Sequence, residues 1–105
     1  MHLTTEQTQN LVTRIVKAAH PEKIILFGST ARGEAGRYSD VDVAVVVHDG
    51  THRRMTERLI YRAMLGFDLP VDVVVVTDSD MLKYADSPGL VYREVIREGV
   101  LLYAA

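Results

Sequence analysis

Three aspartates stand in stretches of sequence that are otherwise apolar. Asp40 and Asp42 are two residues apart at the start of a valine-rich run, so in a strand their side chains leave the same face with Cα atoms roughly 6.6 Å apart. Asp72 interrupts a second run of valines, and neither run contains a lysine or arginine. Because unpaired carboxylates are costly in apolar surroundings, the sequence indicates one or two divalent cations, which prefer carboxylate oxygens.

A second interpretation of the same aspartates stays open at this point. Asp40 could cap a turn, Asp42 could face water, and Asp72 could cap a helix on the other side of the sheet. In that case the three residues would have only structural roles.

The pair Gly28-Ser29, which directly follows the apolar run 24–27, favours a functional interpretation. A glycine at a strand end lets the backbone pass close to a bulky anion, and Ser29 then opens a short helix whose N–H groups and hydroxyl can hold phosphate oxygens. Arg32 falls in the first turn of that helix and could add a charged donor. The segment is not a Walker A loop, because residues 34–35 are Glu-Ala where Lys-Ser/Thr is required.

This combination resembles a known signature. Gly-Ser at 28–29, ten intervening residues and Asp-Val-Asp at 40–42 look like the motif of the DNA polymerase β type nucleotidyltransferase superfamily. The fuller run 26–33, followed by Ser39 and the same aspartates, is similar to the minimal nucleotidyltransferase (MNT) domains of that superfamily. The strand around Asp72 and the ending 97–103 also match the MNT layout, so the resemblance covers nearly the whole chain.

The resemblance implies a fold and a reaction. The fold would be a single α/β (α+β) nucleotidyltransferase domain over residues 1–105, with a mixed sheet of three to four strands packed with helices. The reaction would be Mg²⁺-dependent transfer of a nucleoside monophosphate, expected to be AMP from ATP, to a hydroxyl acceptor. Two Mg²⁺ ions would be bound by Asp40 and Asp42, with Asp72 completing the site of the ion that activates the acceptor. The expected nucleotide-binding residues are Gly28, Ser29, Arg32 and Ser39.

A partner is implied in the same way. The chain has 105 residues, which leaves no room for a second domain that grips the acceptor, and MNT domains usually act beside a HEPN-type partner protein. We therefore expect an antitoxin that transfers AMP to a tyrosine of a HEPN toxin, as a homodimer or a hetero-oligomer. The alternative is a non-catalytic module that neutralises its partner by stoichiometric binding. Transfer to a small molecule such as an aminoglycoside is disfavoured by the missing acceptor domain.

Composition bounds these expectations. The chain is 48% hydrophobic and 25% charged, which is typical of a soluble globular domain. A net charge of -2 gives no general attraction to nucleic acid or anionic lipid, so we expect neither as a direct partner. The absence of cysteine excludes a thiolate metal site and a cysteine nucleophile. The start of the chain lacks the features of a signal peptide, and we expect a cytoplasmic location.

Hydrophobic periodicity predicts the elements that position these residues. A helix is expected at 5–19, opened by a capping box between Thr4 and Gln7. A second helix is expected from an N-cap at Thr51 to about 65, with an apolar stripe of Met55, Leu59 and Met64 and with Ile60 and Ala63 beside it. Ser79 or Asp80 is expected to cap a short helix through Tyr84, and Tyr61 is expected to be a packing residue. The other predicted elements are strands at 24–27, 40–47, 71–77 and 100–103, a short helical turn within 30–38, and a helix from about 90 that stops at Gly99.

Overall fold

The computed structural model describes residues 3–33, 40–88 and 90–105. Ser39 and most of the turn expected within 30–38 lie outside these ranges. The described elements, in chain order, are α1 (Thr5–Ala19), β1 (Lys23–Phe27), α2 (Gly28–Ala31), β2 (Val41–Val47), α3 (Arg53–Ala63), β3 (Val71–Thr77), α4 (Asp78–Lys83), α5 (Val91–Glu98) and β4 (Val100–Ala104).

The strands form one four-stranded mixed sheet in the order β3-β2-β1-β4. β1 pairs antiparallel with β2 and β4, whereas β2 and β3 are parallel and are connected through α3. This confirms the expected mixed sheet of three to four strands packed with helices. A parallel pair needs such a crossover connection, and here it brings the starts of β2 and β3, where Asp42 and Asp72 lie, to the same end of the sheet.

Helices cover both faces of the sheet. Alternate valines of β2, at positions 41, 43, 45 and 47, pack with Leu11 and Ile15 of α1 and with Ile60 of α3. On the other face Ala44 packs with Phe27 and with Val95 of α5. Because side chains alternate along a strand, Asp42 and Asp72 belong to the α5 face.

The first helix forms as its sequence predicts. The Thr4 hydroxyl accepts a hydrogen bond from the Gln7 backbone N–H, and the Gln7 side chain accepts one from the Thr4 N–H, both at 3.0 Å. α1 ends at Ala19, where His20 takes a left-handed conformation just before Pro21. The capping box expected from the sequence is therefore confirmed.

Two predicted caps are wrong. α3 begins at Arg53 and is capped by His52 instead of Thr51, since the His52 imidazole accepts a hydrogen bond from the Met55 N–H at 3.1 Å. α4 follows β3 without a gap, so the last strand residue, Thr77, is its cap instead of Ser79 or Asp80. In both cases the capping hydrogen bond is made by the residue directly before the first helical residue. The sequence alone does not determine at which residue the helix begins.

The apolar stripe predicted for α3 is also partly wrong. Met55 and Leu59 are 58% and 43% exposed, whereas Thr56, Ile60 and Met64 are buried. Compared with the prediction, the face of α3 that packs on the sheet is rotated about the helix axis, and it is formed by Thr56, Ile60 and Met64, which are four residues apart. Thr56 tolerates burial because its hydroxyl donates to the His52 carbonyl at 2.9 Å.

None of the helices in the described ranges has the length and apolar character that crossing a bilayer requires.

Candidate active site

Gly28 and Asp42 meet where β1 ends. In the antiparallel register Phe27 faces Asp42, so the next residue, Gly28, passes beside the Asp42 carboxylate. Gly28 has φ +74°, and a Cβ atom built on it would overlap Oδ2 of Asp42. The positive φ favours glycine here, and a side chain at this position would have to displace the Asp42 carboxylate. α2 begins at this point, so Gly28 and Ser29 lie in its first turn.

Asp42 and Asp72 are register partners on the neighbouring parallel strands β2 and β3. Asp40 lies two residues before Asp42, just outside β2, and its backbone carbonyl accepts a hydrogen bond from the Thr30 hydroxyl at 3.4 Å. The fold thus brings the predicted carboxylates to one end of the sheet beside Gly28.

Asp42 is partly buried and has several other carboxylates near it. Burial raises the pKa of Asp42 above its ordinary value, and the negative charges of Asp72, Asp40 and Glu94 raise it further. Arg32 opposes this shift. A bound cation would relieve the repulsion between these carboxylates.

The carboxylates at this end of the sheet are suited to a divalent cation that is bound partly by the protein and partly by a substrate. Within 3–33, 40–88 and 90–105, no three His, Asp or Glu side chains are grouped as a ready-made metal site. Mg²⁺, however, is usually bound through one or two carboxylates together with substrate phosphates, not in an all-protein cage. The register pair Asp42 and Asp72, with the backbone of Gly28 beside it, could serve as such a partial set of ligands.

Arg32 lies at the C-terminal end of α2 and points toward α5. Its guanidinium pairs with Glu94 at 3.1 Å and with Glu98 at 2.9 Å. These three residues line a cavity of about 670 Å³ together with Leu90, Val91, Arg93 and Arg97. A phosphate that approached Arg32 would compete with the two α5 carboxylates for its donors.

Tyr61 of α3 is a site residue that sequence reasoning missed. Its hydroxyl donates to Oδ1 of Asp72 at 3.1 Å and accepts from the backbone N–H of Val73 at 2.9 Å. Burial raises the pKa of Tyr61, as does Asp72, so the phenol stays protonated and able to donate at neutral pH. Nothing in the periodicity of α3 marks Tyr61, which lies on the outward side of the helix.

Three other polar residues lie away from this end of the sheet. His52 caps α3, and His48 pairs with Glu22 at 2.6 Å. Asp80 pairs with Arg53 at 2.7 Å beyond the opposite ends of β2 and β3. These contacts give them structural roles.

Comparisons with known proteins agree with this geometry. The family model described as nucleotidyltransferase domain matches residues 10–101, whereas no curated protein matches the sequence significantly. Among solved structures, a provisionally assigned nucleotidyltransferase from Sulfolobus solfataricus is 20% identical, with 94% of this chain and 78% of that chain covered and a TM-score of 0.65. A provisionally assigned minimal nucleotidyltransferase is 24% identical, with 95% of each chain covered and a TM-score of 0.62.

A third similar chain comes from the structure of tri-AMPylated Shewanella oneidensis HEPN toxin in complex with MNT antitoxin. It is 21% identical, with 94% of this chain and 73% of that chain covered and a TM-score of 0.54. Identities this low show a shared fold, whereas the family model extends over most of the sequence. The chain therefore belongs to the nucleotidyltransferase domain family.

Proposed function

We propose that this chain is a Mg²⁺-dependent nucleotidyltransferase that transfers AMP from ATP to a tyrosine hydroxyl of a HEPN-type partner, and that it thereby acts as an antitoxin. The observation that carries the proposal is the packing of Gly28 against Asp42, with Asp72 in register on the next strand. This packing supports the proposal, because a backbone that could accept a triphosphate would lie directly beside carboxylates that could hold its counter-ions.

The chemistry follows from these positions. Gly28 and Ser29 would hold the β and γ phosphates and so align the leaving group. The acceptor oxygen forms a bond to the α phosphorus, the bond from that phosphorus to the bridging oxygen breaks, and pyrophosphate leaves with the electron pair. Asp72 would take the proton of the acceptor hydroxyl. The Mg²⁺ ions, held by Asp40, Asp42 and Asp72, would supply charge neutralisation on the phosphates when bound.

The choice of a HEPN-type partner is supported by a structural neighbour, and the choice of a tyrosine follows from the resemblance to MNT domains. One chain of the solved complex of tri-AMPylated HEPN toxin with MNT antitoxin shares this fold. In this chain, Arg32 also lines the cavity along α5, and this cavity is where we propose that a partner's side chain enters.

The direct test is labelling of a partner. The chain is incubated with ATP carrying a labelled α phosphate, Mg²⁺ and a HEPN-type protein from the same organism. The label should appear on a partner tyrosine and should be lost with Asp40→Asn/Asp42→Asn, whereas Asp86→Asn, an exposed change of the same kind, should keep it. If no nucleoside triphosphate labels the partner, the proposed transfer is refuted.

A stoichiometric binding module is the second candidate, favoured by one feature of the surface. Met55 and Leu59 are exposed on the outer side of α3 beside the exposed Arg54, Arg58 and Arg62. Such a mixed apolar and basic face is typical of contact surfaces. If the Asp40→Asn/Asp42→Asn variant still neutralises the partner, binding is the mechanism. Loss of neutralisation with an intact complex favours catalysis.

A further inference from the structure

β3 carries Asp72 on the edge of the sheet. Among the described strands it pairs with β2 alone. Alternate N–H groups of an edge strand point away from the sheet and need another acceptor. The N–H of Val73 finds that acceptor in the Tyr61 hydroxyl, at 2.9 Å. The oxygen of Tyr61 is therefore fixed by the main chain of the strand that bears Asp72.

The same hydroxyl has one proton to donate, and it donates that proton to Oδ1 of Asp72 at 3.1 Å. The Asp72 side chain is exposed, so without this bond several rotamers would be open to it. Tyr61 thus ties the carboxylate to the backbone N–H of the next residue. Oδ2 of Asp72 makes no hydrogen bond within the described part of the chain.

Tyr61 is itself well anchored. Ile60, next to it in α3, is fully buried under the sheet. Two residues after Tyr61 the helix ends, and Arg14 of α1 donates to the carbonyls of Ala63 and Leu65, both at 2.8 Å. The end of α3 that carries Tyr61 is therefore held by packing and by charged hydrogen bonds.

We propose that Tyr61 is a positioning residue, whose hydroxyl holds the Asp72 carboxylate beside Asp42 in the orientation that binds a divalent cation. This inference rests on the proposed function, because it assigns Asp72 as a cation ligand. Groups that hydrogen-bond to a metal ligand typically change metal affinity by about 10–100-fold when they are removed.

The test is Tyr61→Phe, which removes the hydroxyl and keeps the ring. Mn²⁺ affinity is measured by electron paramagnetic resonance in the presence of an ATP analogue whose α,β linkage cannot be cleaved. We expect the dissociation constant for Mn²⁺ to rise at least about tenfold. Tyr103→Phe is the matched control, because the Tyr103 hydroxyl in β4 makes no hydrogen bond to a described residue, and its Mn²⁺ affinity should equal that of the parent.

A double-mutant cycle separates positioning from a general loss of stability. If Tyr61 acts through Asp72, Tyr61→Phe should weaken Mn²⁺ binding in the parent chain and should have no further effect in Asp72→Asn. A lower melting temperature with Mn²⁺ affinity within twofold of the parent would show a purely structural role and would overturn the inference. Equal effects of Tyr61→Phe in both backgrounds would overturn it as well.

Failure of this inference is distinguishable from failure of the proposed function. If Asp40→Asn/Asp42→Asn abolishes Mn²⁺ binding while Tyr61→Phe leaves it unchanged, the transferase proposal stands and the role of Tyr61 is refuted. If the parent chain with the ATP analogue binds no Mn²⁺, both are refuted.

Discussion

The backbone of Gly28 lies against the carboxylate of Asp42, with no space between them for a methyl group. This contact connects the end of β1 to the start of β2. It makes the position of the expected phosphate-binding turn depend directly on the position of the acidic residues.

Gly28→Ala tests that contact. The new Cβ would overlap Oδ2 of Asp42 and would also require φ +74°, which costs a non-glycine residue about 1–3 kcal/mol. Gly50→Ala is the control, because Gly50 has φ +89° but nothing within 4 Å of its added Cβ. In urea unfolding we expect Gly28→Ala to lose about 1–3 kcal/mol more than Gly50→Ala, and its transfer activity to fall at least about tenfold. Equal losses would mean that the overlap has no consequence.

Asp42→Asn should stabilise the metal-free chain while it removes activity. Burial, followed by the charges of Asp72 and Asp40, raises the pKa of Asp42 above 3.8 in the folded state. The folded chain then holds this proton at pH values where the unfolded chain has lost it. The free energy of unfolding therefore falls as the pH rises from 3.8 through the raised pKa.

Asparagine cannot ionise, so the Asp42→Asn variant avoids this loss. Urea midpoints measured without metal from pH 3 to 7.5 should show the variant above the parent at neutral pH, with the difference shrinking toward pH 3.8. The exposed Asp86→Asn serves as the control for the loss of one negative charge. A parent and an Asp42→Asn variant with parallel pH profiles would contradict the prediction.

Arg32→Gln should weaken triphosphate binding. A hydrogen bond from a charged donor contributes about 1.5–3 kcal/mol, which corresponds to roughly a 10–100-fold change in the dissociation constant. Calorimetric titration with a non-hydrolysable ATP analogue and Mg²⁺ measures this dissociation constant in the parent and in the variant. Arg53→Gln breaks a comparable arginine–carboxylate pair, with Asp80, beyond the other ends of the strands. It should bind the analogue as the parent does, and similar affinities for the two variants would exclude Arg32 from the nucleotide site.

Arg14→Gln should destabilise the packing of α1 on α3. The Arg14 guanidinium donates to the carbonyls of Ala63 and Leu65 and lies 5.9 Å from the centre of the Phe67 ring. We expect a loss of about 1–3 kcal/mol in the free energy of unfolding. Arg58→Gln, an exposed change on the outer side of α3, should shift it by less than about 0.5 kcal/mol. The prediction fails if the two variants unfold at the same urea concentration.

Local patterns were sufficient for much of the fold. The capping box of Thr4 and Gln7, the valine runs of β2 and β3, and the helix stop at Gly99 were all predicted, because each depends on neighbours within a few residues. The inward face of α3 was predicted only in part, since burial of Thr56 in place of Met55 depends on how the helix lies on the sheet.

The site divides in the same way. By itself the sequence determined which residue types could do chemistry: a glycine and a serine after one strand, and carboxylates in the next two. Only the tertiary structure decided which of them meet. The strand register put Asp42 beside both Gly28 and Asp72, and the crossover through α3 brought Tyr61 onto Asp72. Strand pairing brings together residues that are distant in sequence, and so does the packing of a helix against a sheet edge. Such contacts depend on the packing of the whole chain, so a local sequence pattern does not determine them.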